Sequence, residues 1–469
     1  MRAEIAHNLE ALGRIYQRLL ELKANCQIYL VGGAIRDIVM GRTPADFDFA
    51  VSGSGIEFAR EFARRIRAKL VLLSEADDEA RVVYRKKIIF DFNGFGNSTV
   101  ETDLARRDFT INALAIELPA VNRVIDRFGG LEDIRSKIIR PVSEQSLHLD
   151  PLRLLRAIRL ALELKFTVHP SVYEQAGTVS LKETAAERIG AELLRILEAP
   201  GSPYYLEKLR QLNRLSEIIP ELAPLLADEE LWQHTIRTCA KIDELVKSPG
   251  FFSRFAPEWQ GYFDHFPYRR ALLKLAGLLH DIAKPHTRFK SETGQVHFYG
   301  HDNLGARLAN TIGYTRLRLS RTQVKMVRTL VKEHMRLHLL ATAPELTDRA
   351  IRRYFRDLGA EAFGLMILCY ADGWATAGRT AHLEEAINRM LNQQRQEAAK
   401  AKIKRLVTGD DLIALGMKPG PVFRVLLQEL EDLQLEGKIT SKEEGLKYLK
   451  THLTIPDSRE NGRDKGRQR

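Results

Sequence analysis

YLVGGAIRDIVMGRTPADFDFAV, Tyr29 to Val51, joins a glycine pair, an Arg-Asp step and two alternating aspartates in one short segment. Val31 closes an apolar run, Gly32 and Gly33 turn the chain, and Ala34–Met40 predicts a short helix stopped by Gly41. In Asp46-Phe47-Asp48-Phe49 the two-residue period of a strand puts both carboxylates on one face and both rings on the other. Carboxylates held side by side repel unless a cation lies between them, and magnesium, which prefers hard oxygen ligands, suits the pair. Glycine-freed backbone amides and Arg36 at the helix start suit a triphosphate. Together they predict a magnesium-and-triphosphate site built from Gly32, Gly33, Arg36, Asp46 and Asp48. A plain turn followed by solvated aspartates is the competing reading of each part taken alone.

Composition bounds the rest. At 469 residues the chain is long for one core. Its 44% apolar and 28% charged residues are those of an ordinary soluble protein. No apolar run is long enough for a bilayer, so no membrane association is expected. The first 23 residues predict one amphipathic helix rather than a signal or transit peptide. Three scattered cysteines (Cys26, Cys239, Cys369) fit no disulfide framework, which points to a reducing, cytoplasmic setting. A net charge of +11 favours a polyanionic partner.

The order GG-x-x-RD then D-x-D resembles motif A of the polymerase-β-like nucleotidyltransferases. More narrowly, it is similar to the class II tRNA nucleotidyltransferase and bacterial poly(A) polymerase family. Asp91, alternating with Phe90 and Phe92 in KIIFDFNG, is the candidate third carboxylate of a two-metal site. A strand-end surface residue is its alternative. DLARRDFTINALAI matches the family's motif B, and the resemblance gives Arg107, Asp108 and Asn112 roles around the ribose and triphosphate. Asp108 also precedes what reads as a helical run and would serve as its cap. IDRFGGLEDIRSKIIRPV resembles the hinge-like motif C.

Asp150-Pro151-Leu152-Arg153 predicts a helix start, with Asp150 as cap and Pro151 in the first turn. Asp150 and Arg153 then lie one turn apart, with Arg156 following. A carboxylate acceptor beside a guanidinium donor complements the amino-donor and ring-acceptor edge shared by cytosine and adenine. Uracil and guanine present the reverse order. The pair matches the family's motif D, ED-x-x-R, except that Leu149 stands where the family has Glu. Glu187, Arg188 and Glu192 match motif E, read here as structural support. The resemblance spans about Ile28–Pro220.

A second constellation follows: His234, His280-Asp281, His301, His334 and Asp372. Histidine nitrogens with carboxylates suit Mn, Ni, Co or Fe better than magnesium. The order H…HD…D resembles the HD superfamily of metal-dependent phosphohydrolases, with His234, His280, Asp281 and Asp372 as its core and His301 and His334 as ligands of a second ion. A degenerate HD body that binds RNA or dimerises is the alternative. The GDDLIALGMKPGP stretch resembles the C-terminal part of bacterial CCA-adding enzymes, which implies contact with the tRNA elbow. A packing or homodimer unit is the rival reading.

The expected fold is α+β: a polymerase-β-like head (1–140), a helical neck carrying the base-selecting motif (141–225), an HD domain (226–390), a helical tail (391–455) and a disordered basic end (456–469). Breaks are expected near Ser248–Pro257 and at the polar stretch Asn392–Lys404. The function implied is template-independent addition of all or part of CCA to tRNA from CTP and ATP, with magnesium in the head. The rivals are poly(A) polymerase, an HD phosphohydrolase whose head only binds nucleotide, and a non-catalytic RNA-binding protein. VVYRKKIIFDF lacks the basic GRRF-like stretch typical of the poly(A) enzymes, which favours tRNA.

Overall fold

A computed structural model describes residues 2–22, 26–44, 46–85, 87–121, 123–400 and 405–452. The basic end 456–469 lies outside them. The described chain forms two compact units: residues up to His338 with Ala360–Thr380, and Leu339–Gly359 with the described residues from Ala381 onward.

The first unit begins with a seven-stranded sheet. Its strands are β1 (Ile28–Val31), β2 (Asp46–Val51), β3 (Lys69–Ser74), β4 (Glu79–Tyr84), β5 (Ile88–Gly94), β6 (Leu114–Glu117) and β7 (Val124–Asp126), in the order β3-β4-β5-β2-β1-β6-β7. Only β2 and β5 pair in parallel, and their register sets Asp48 beside Asp91 and Phe49 beside Phe92. Alternation then does what period two demands. Phe47, Phe49, Phe90 and Phe92 are buried on one face, stacked at centroid distances of 5.3–6.5 Å. Phe58 and Phe62 of the helix Gly55–Ile66 close over Phe92 at 5.2 and 5.4 Å. The carboxylates are left on the opposite face.

Glycine makes the turn out of β1 possible. Gly32 has φ 73°, a conformation that costs a residue with a Cβ, and the helix Gly33–Val39 starts directly after it and ends before Gly41 at φ 72°. Two expectations need correction. The N-terminal segment is two helices, Arg2–Glu10 and Arg14–Leu20, because Gly13 takes φ 55° between them. Asp108 does not open a helix: a single 3-10 turn, Thr110–Asn112, leads into strand β6.

Beyond residue 140 the unit is helical apart from two-residue strands. The helix Arg153–Leu164 buries Leu154, Leu155, Ile158 and Leu164 and packs on Ala186–Glu198. The expected break near Ser248–Pro257 is a 3-10 segment, Gly250–Phe255. The second unit has its own core, with Leu412, Leu426, Leu430 and Leu449 at its centre. Its buried Arg352 is held by Glu397 at 3.2 Å and Glu436 at 2.9 Å. The helix Ala381–Lys400 runs through Asn392, and the last part of that polar stretch, 401–404, lies outside the described residues.

Because Phe49 is fully buried between Phe90 and Phe92, Phe49→Ala should cost about 3–5 kcal/mol of head stability. A urea titration followed by near-UV circular dichroism measures it.

Candidate nucleotidyl-transfer and metal sites

The sheet's carboxylate face opens into a cavity of about 1150 Å³, lined by nine arginines and ten carboxylates. Every head residue singled out from the sequence lines it: Gly32, Gly33, Arg36, Asp46, Asp48, Asp91, Arg107, Asp108, Asn112, Asp150, Arg153 and Arg156. Gly32 forms its floor, where a Cβ would lie 2.8 Å from both Asp48 Oδ2 and Arg107 Nη1. Only glycine leaves room there for both groups.

Crowding of like charge marks the carboxylates. Burial raises the Asp48 carboxyl; Arg107 and the Gly33 N–H oppose it, Asp91 and Asp46 add to it, and the net value is about 6. Asp46 is raised too, by burial and by Asp91. A bound cation would relieve this strain, and all-oxygen donors suit magnesium. Asp91 stands differently. Arg81 on β4 grips it with two parallel bonds of 2.8 Å. The oxygens facing a cation are therefore chiefly those of Asp46 and Asp48.

Asp108 is buried and saturated. It accepts from the Phe109 N–H at 2.8 Å, from Asn112 Nδ2 at 3.0 Å, and from Arg156 at 2.6 and 3.0 Å. Burial alone would raise its pKa, but Arg156, Asn112 and Phe109 outweigh that and hold it at about 2. Asn112 Oδ1 in turn accepts from Arg36 Nη1 at 2.7 Å. The segment resembling motif C braces this turn. Asp133 takes Thr110 Oγ1 at 2.6 Å, and Gly130 passes so close that a Cβ would lie 2.1 Å from the Thr110 carbonyl.

The helix starts later than expected, at Arg153 with Leu152 as its N-cap, and Asp150 instead accepts from the Leu152 N–H at 3.2 Å in the turn ahead of it. Its ion-pair partner is Arg188 of the helix Ala186–Glu198, at 2.8 Å. Arg153 instead donates to the carbonyls of Arg106 (2.6 Å), Arg107 (3.1 Å) and Ser146 (3.2 Å) and to Ser146 Oγ (2.8 Å). Leu149 is 66% exposed and braces neither. Arg81 and Arg188 are the head residues that sequence reasoning did not assign to the site. Arg188 lies within the motif E match, but only the fold brings it to Asp150.

The second constellation also assembles, within the first unit. His234 Nε2 lies 3.0 Å from Asp372 Oδ1 and 3.2 Å from His280 Nε2. His301 and His334 meet through their Nε2 atoms at 3.1 Å. The Nδ1–H groups of His280, His301 and His334 donate to the carbonyls of Gly277, Phe298 and Val331 at 2.6–2.8 Å. That turns the Nε2 atoms toward one another, a meeting that calls for positive charge, a proton or a metal ion, between them. Both oxygens of Asp281 are buried without a hydrogen bond, although Lys284 Nζ makes an ion-pair contact with Oδ2 at 2.6 Å. Oδ2 faces His234 and His280, and Oδ1 faces His301 and His334. The two candidate ion groups share Asp281. Burial would lower His280, but Asp281 and Asp372 lift it to about 10, whereas burial and His280 push His334 down to about 4. His338, unassigned in the sequence, holds Asp372 Oδ2 at 2.9 Å. Its only signal was its place four residues after His334.

The buried Asp108 pair ties stability to acid. The carboxyl ionises at about 2 folded and about 4 unfolded, so the pair contributes fully above pH 4 and is lost as pH falls through 2. Asp108→Asn should cost about 2 kcal/mol at pH 7, and the gap to the native protein should close between pH 4 and 2 in parallel urea melts.

Comparison with known proteins follows this geometry. Residues 28–140 match the Poly A polymerase head domain, 166–226 the probable RNA and SrmB-binding site of polymerase A, and 231–373 the HD domain. The head and HD matches imply dependence on divalent metal. A CC-adding tRNA nucleotidyltransferase of Thermus thermophilus is 31% identical, over 89% of this chain and 92% of its own. An A-adding tRNA nucleotidyltransferase of Deinococcus radiodurans is 30% identical, over 90% and 94%. Among solved structures, a CCA-adding enzyme in an apo form aligns with a TM-score of 0.65 at 22% identity, covering 96% of this chain and 97% of that one. A Thermotoga maritima CCA-adding enzyme complexed with tRNA aligns at 0.61 and 22%, covering 94% and 95%. At that identity the structures speak for the fold, and the curated relatives carry the assignment: the chain belongs to the tRNA nucleotidyltransferase family.

Proposed function

We propose that this protein is a template-independent nucleotidyltransferase that adds all or part of CCA to the 3′ end of tRNA, using CTP and ATP. The observation that carries the reading is one cavity lined from two parts of the fold. Asp46, Asp48, Gly32 and Arg36 come from the sheet and the turn and helix after its first strand, and Asp150, Arg153 and Arg188 from the helical neck.

Asp46 and Asp48 would hold magnesium, which when bound lowers the pKa of an attacking 3′-hydroxyl and neutralises the leaving pyrophosphate. The Gly32–Gly33 turn leaves space for phosphate oxygens, and Arg36, anchored by Asn112, and Arg107 supply positive charge to them. Asp91 acts with Arg81 as a fixed ion pair beside them. Asp150 supplies the acceptor that reads an exocyclic amine, and Arg153, locked on three backbone carbonyls, offers its remaining donor edge to the ring nitrogen. Selection of C and A thus needs no template base.

A second activity belongs to this reading. The shared Asp281 and converging Nε2 atoms support a two-ion phosphohydrolase centre in the HD domain, with a transition metal such as Mn, Ni, Co or Fe.

Sizing the products on tRNAs ending before CCA, after C and after CC, each with CTP, ATP or both, tests the main reading. Stepwise addition ending at the terminal A of CCA or at CC supports it; an unbounded A tail or no extension overturns it. Asp48→Asn should lower incorporation by on the order of 10²–10³ with tRNA binding retained. For the HD centre, metal analysis should find two ions, one lost in His334→Ala and both in Asp281→Ala.

A further inference from the structure

The helix Arg321–Glu333 carries a charge pattern that the fold itself does not use. Its inner face, Val324, Val327, Leu330 and Val331, is buried. Its outer face repeats cations at Arg321, Lys325, Arg328 and Lys332, all exposed. Steps of four, three and four keep them in a stripe about 60° wide and about 16 Å long.

The stripe works against the folded protein in three ways. Arg321 occupies the first helical position, at the positive end of the macrodipole, and no acidic residue stands in the first turn. Cations three and four apart on a helix repel. Among the described residues, Arg321, Lys325 and Arg328 have no ion-pair or hydrogen-bond partner. Lys332 reaches only its neighbour Glu333, at 3.3 Å. Glu361, whose carboxyl feels Lys325, is already bound by Arg269 at 2.5 Å. The helix Gly55–Ile66 shows the ordinary arrangement: its Arg64 and Arg65 both lie on Glu61.

One unpaired surface lysine is a solvated side chain. Four cations in register, the first at the unfavourable end of the dipole and three of them without a counterion among the described residues, are the footprint of a polyanion. Even spacing along a straight line suits a repeating charge, and Thr322 and Thr329 flank the stripe where a protein partner would want an apolar anchor. The stripe also ends two residues before His334 of the HD centre.

We infer that this face binds the phosphate backbone of RNA by charge alone, and, resting on the function proposed above, that the RNA is the tRNA substrate. Nothing on the stripe reads bases.

The test measures binding of tRNA lacking CCA by the full chain as a function of salt. For Arg321→Ala/Lys325→Ala/Arg328→Ala the log–log salt slope should shrink by about 2–3, and affinity near 0.1 M salt should fall about 10–100-fold. The KM for tRNA should rise by the same factor while the KM for CTP holds. The melting temperature should hold or rise, since repulsion is removed. Arg321→Lys/Arg328→Lys, which keeps the charge, should keep the native slope. A native slope in the triple variant overturns the inference, as does loss of affinity in the double lysine variant. If the slope falls as expected but native protein never extends RNA, backbone binding stands and the nucleotidyltransferase reading fails.

Discussion

One hydrogen-bonded relay ties the catalytic face to the helical neck: Arg156 to Asp108, Asp108 to Asn112, Asn112 to Arg36. Each link is charge-assisted or buried, and each fixes the next side chain's rotamer. Arg36 sits in the helix that follows the Gly32–Gly33 turn, whereas Arg156 is anchored 120 residues later in the helix Arg153–Leu164. Because Asp108 has no lone pair to spare, it is a brace rather than an open acceptor. Arg36 therefore keeps its position only while the neck stays packed on the head.

The two candidate centres answer the same electrostatic problem with different atoms. In the head, Asp46, Asp48 and Asp91 crowd one face of two parallel strands, and burial together with that crowding raises the carboxyls of Asp46 and Asp48. Hard oxygens with one arginine clamp leave a place for magnesium. In the HD domain the crowding is of lone pairs. Backbone carbonyls fix three histidine tautomers, Asp281 stands between the two pairs of rings, and Lys284 compensates part of its charge. Imidazole nitrogen suits a softer ion. The two candidate centres thus differ in donor chemistry, oxygen in the head and mainly imidazole nitrogen in the HD domain.

What was legible in the sequence was what is local. Period two placed Phe47 and Phe49 in the core and Asp46 and Asp48 on the other face, and spacing around Gly32 and Gly41 gave the short helix between them. The histidine and aspartate positions of the second centre were readable because their residue types are rare in apolar runs. Arg188 and Arg81 were not, because an arginine on an amphipathic helix or strand looks like any solvated cation until a fold 38 residues or one strand away brings a carboxylate to it. Strand β6 was hidden by a preceding 3-10 turn that reads like the start of a helix. The break at Gly13 was hidden by amphipathic spacing on both sides of it.

Leu149 shows how such a long-range contact changes the meaning of a local departure. With Glu at that position a second carboxylate would stand next to Asp150, and its absence raises the question of what holds Asp150 and Arg153 in place. The fold supplies two separate holds. Arg188 restrains the Asp150 carboxylate from the neighbouring helix, and four oxygens of Arg106, Arg107 and Ser146 restrain the Arg153 guanidinium. Three of those four are backbone carbonyls, which cannot be lost by side-chain substitution. They belong to the segment ending at Asp108 and to the short helix Ser146–Leu149. Asp150 and Arg153 are thereby coupled to the relay that sets Arg36, and an exposed leucine at 149 leaves both holds intact.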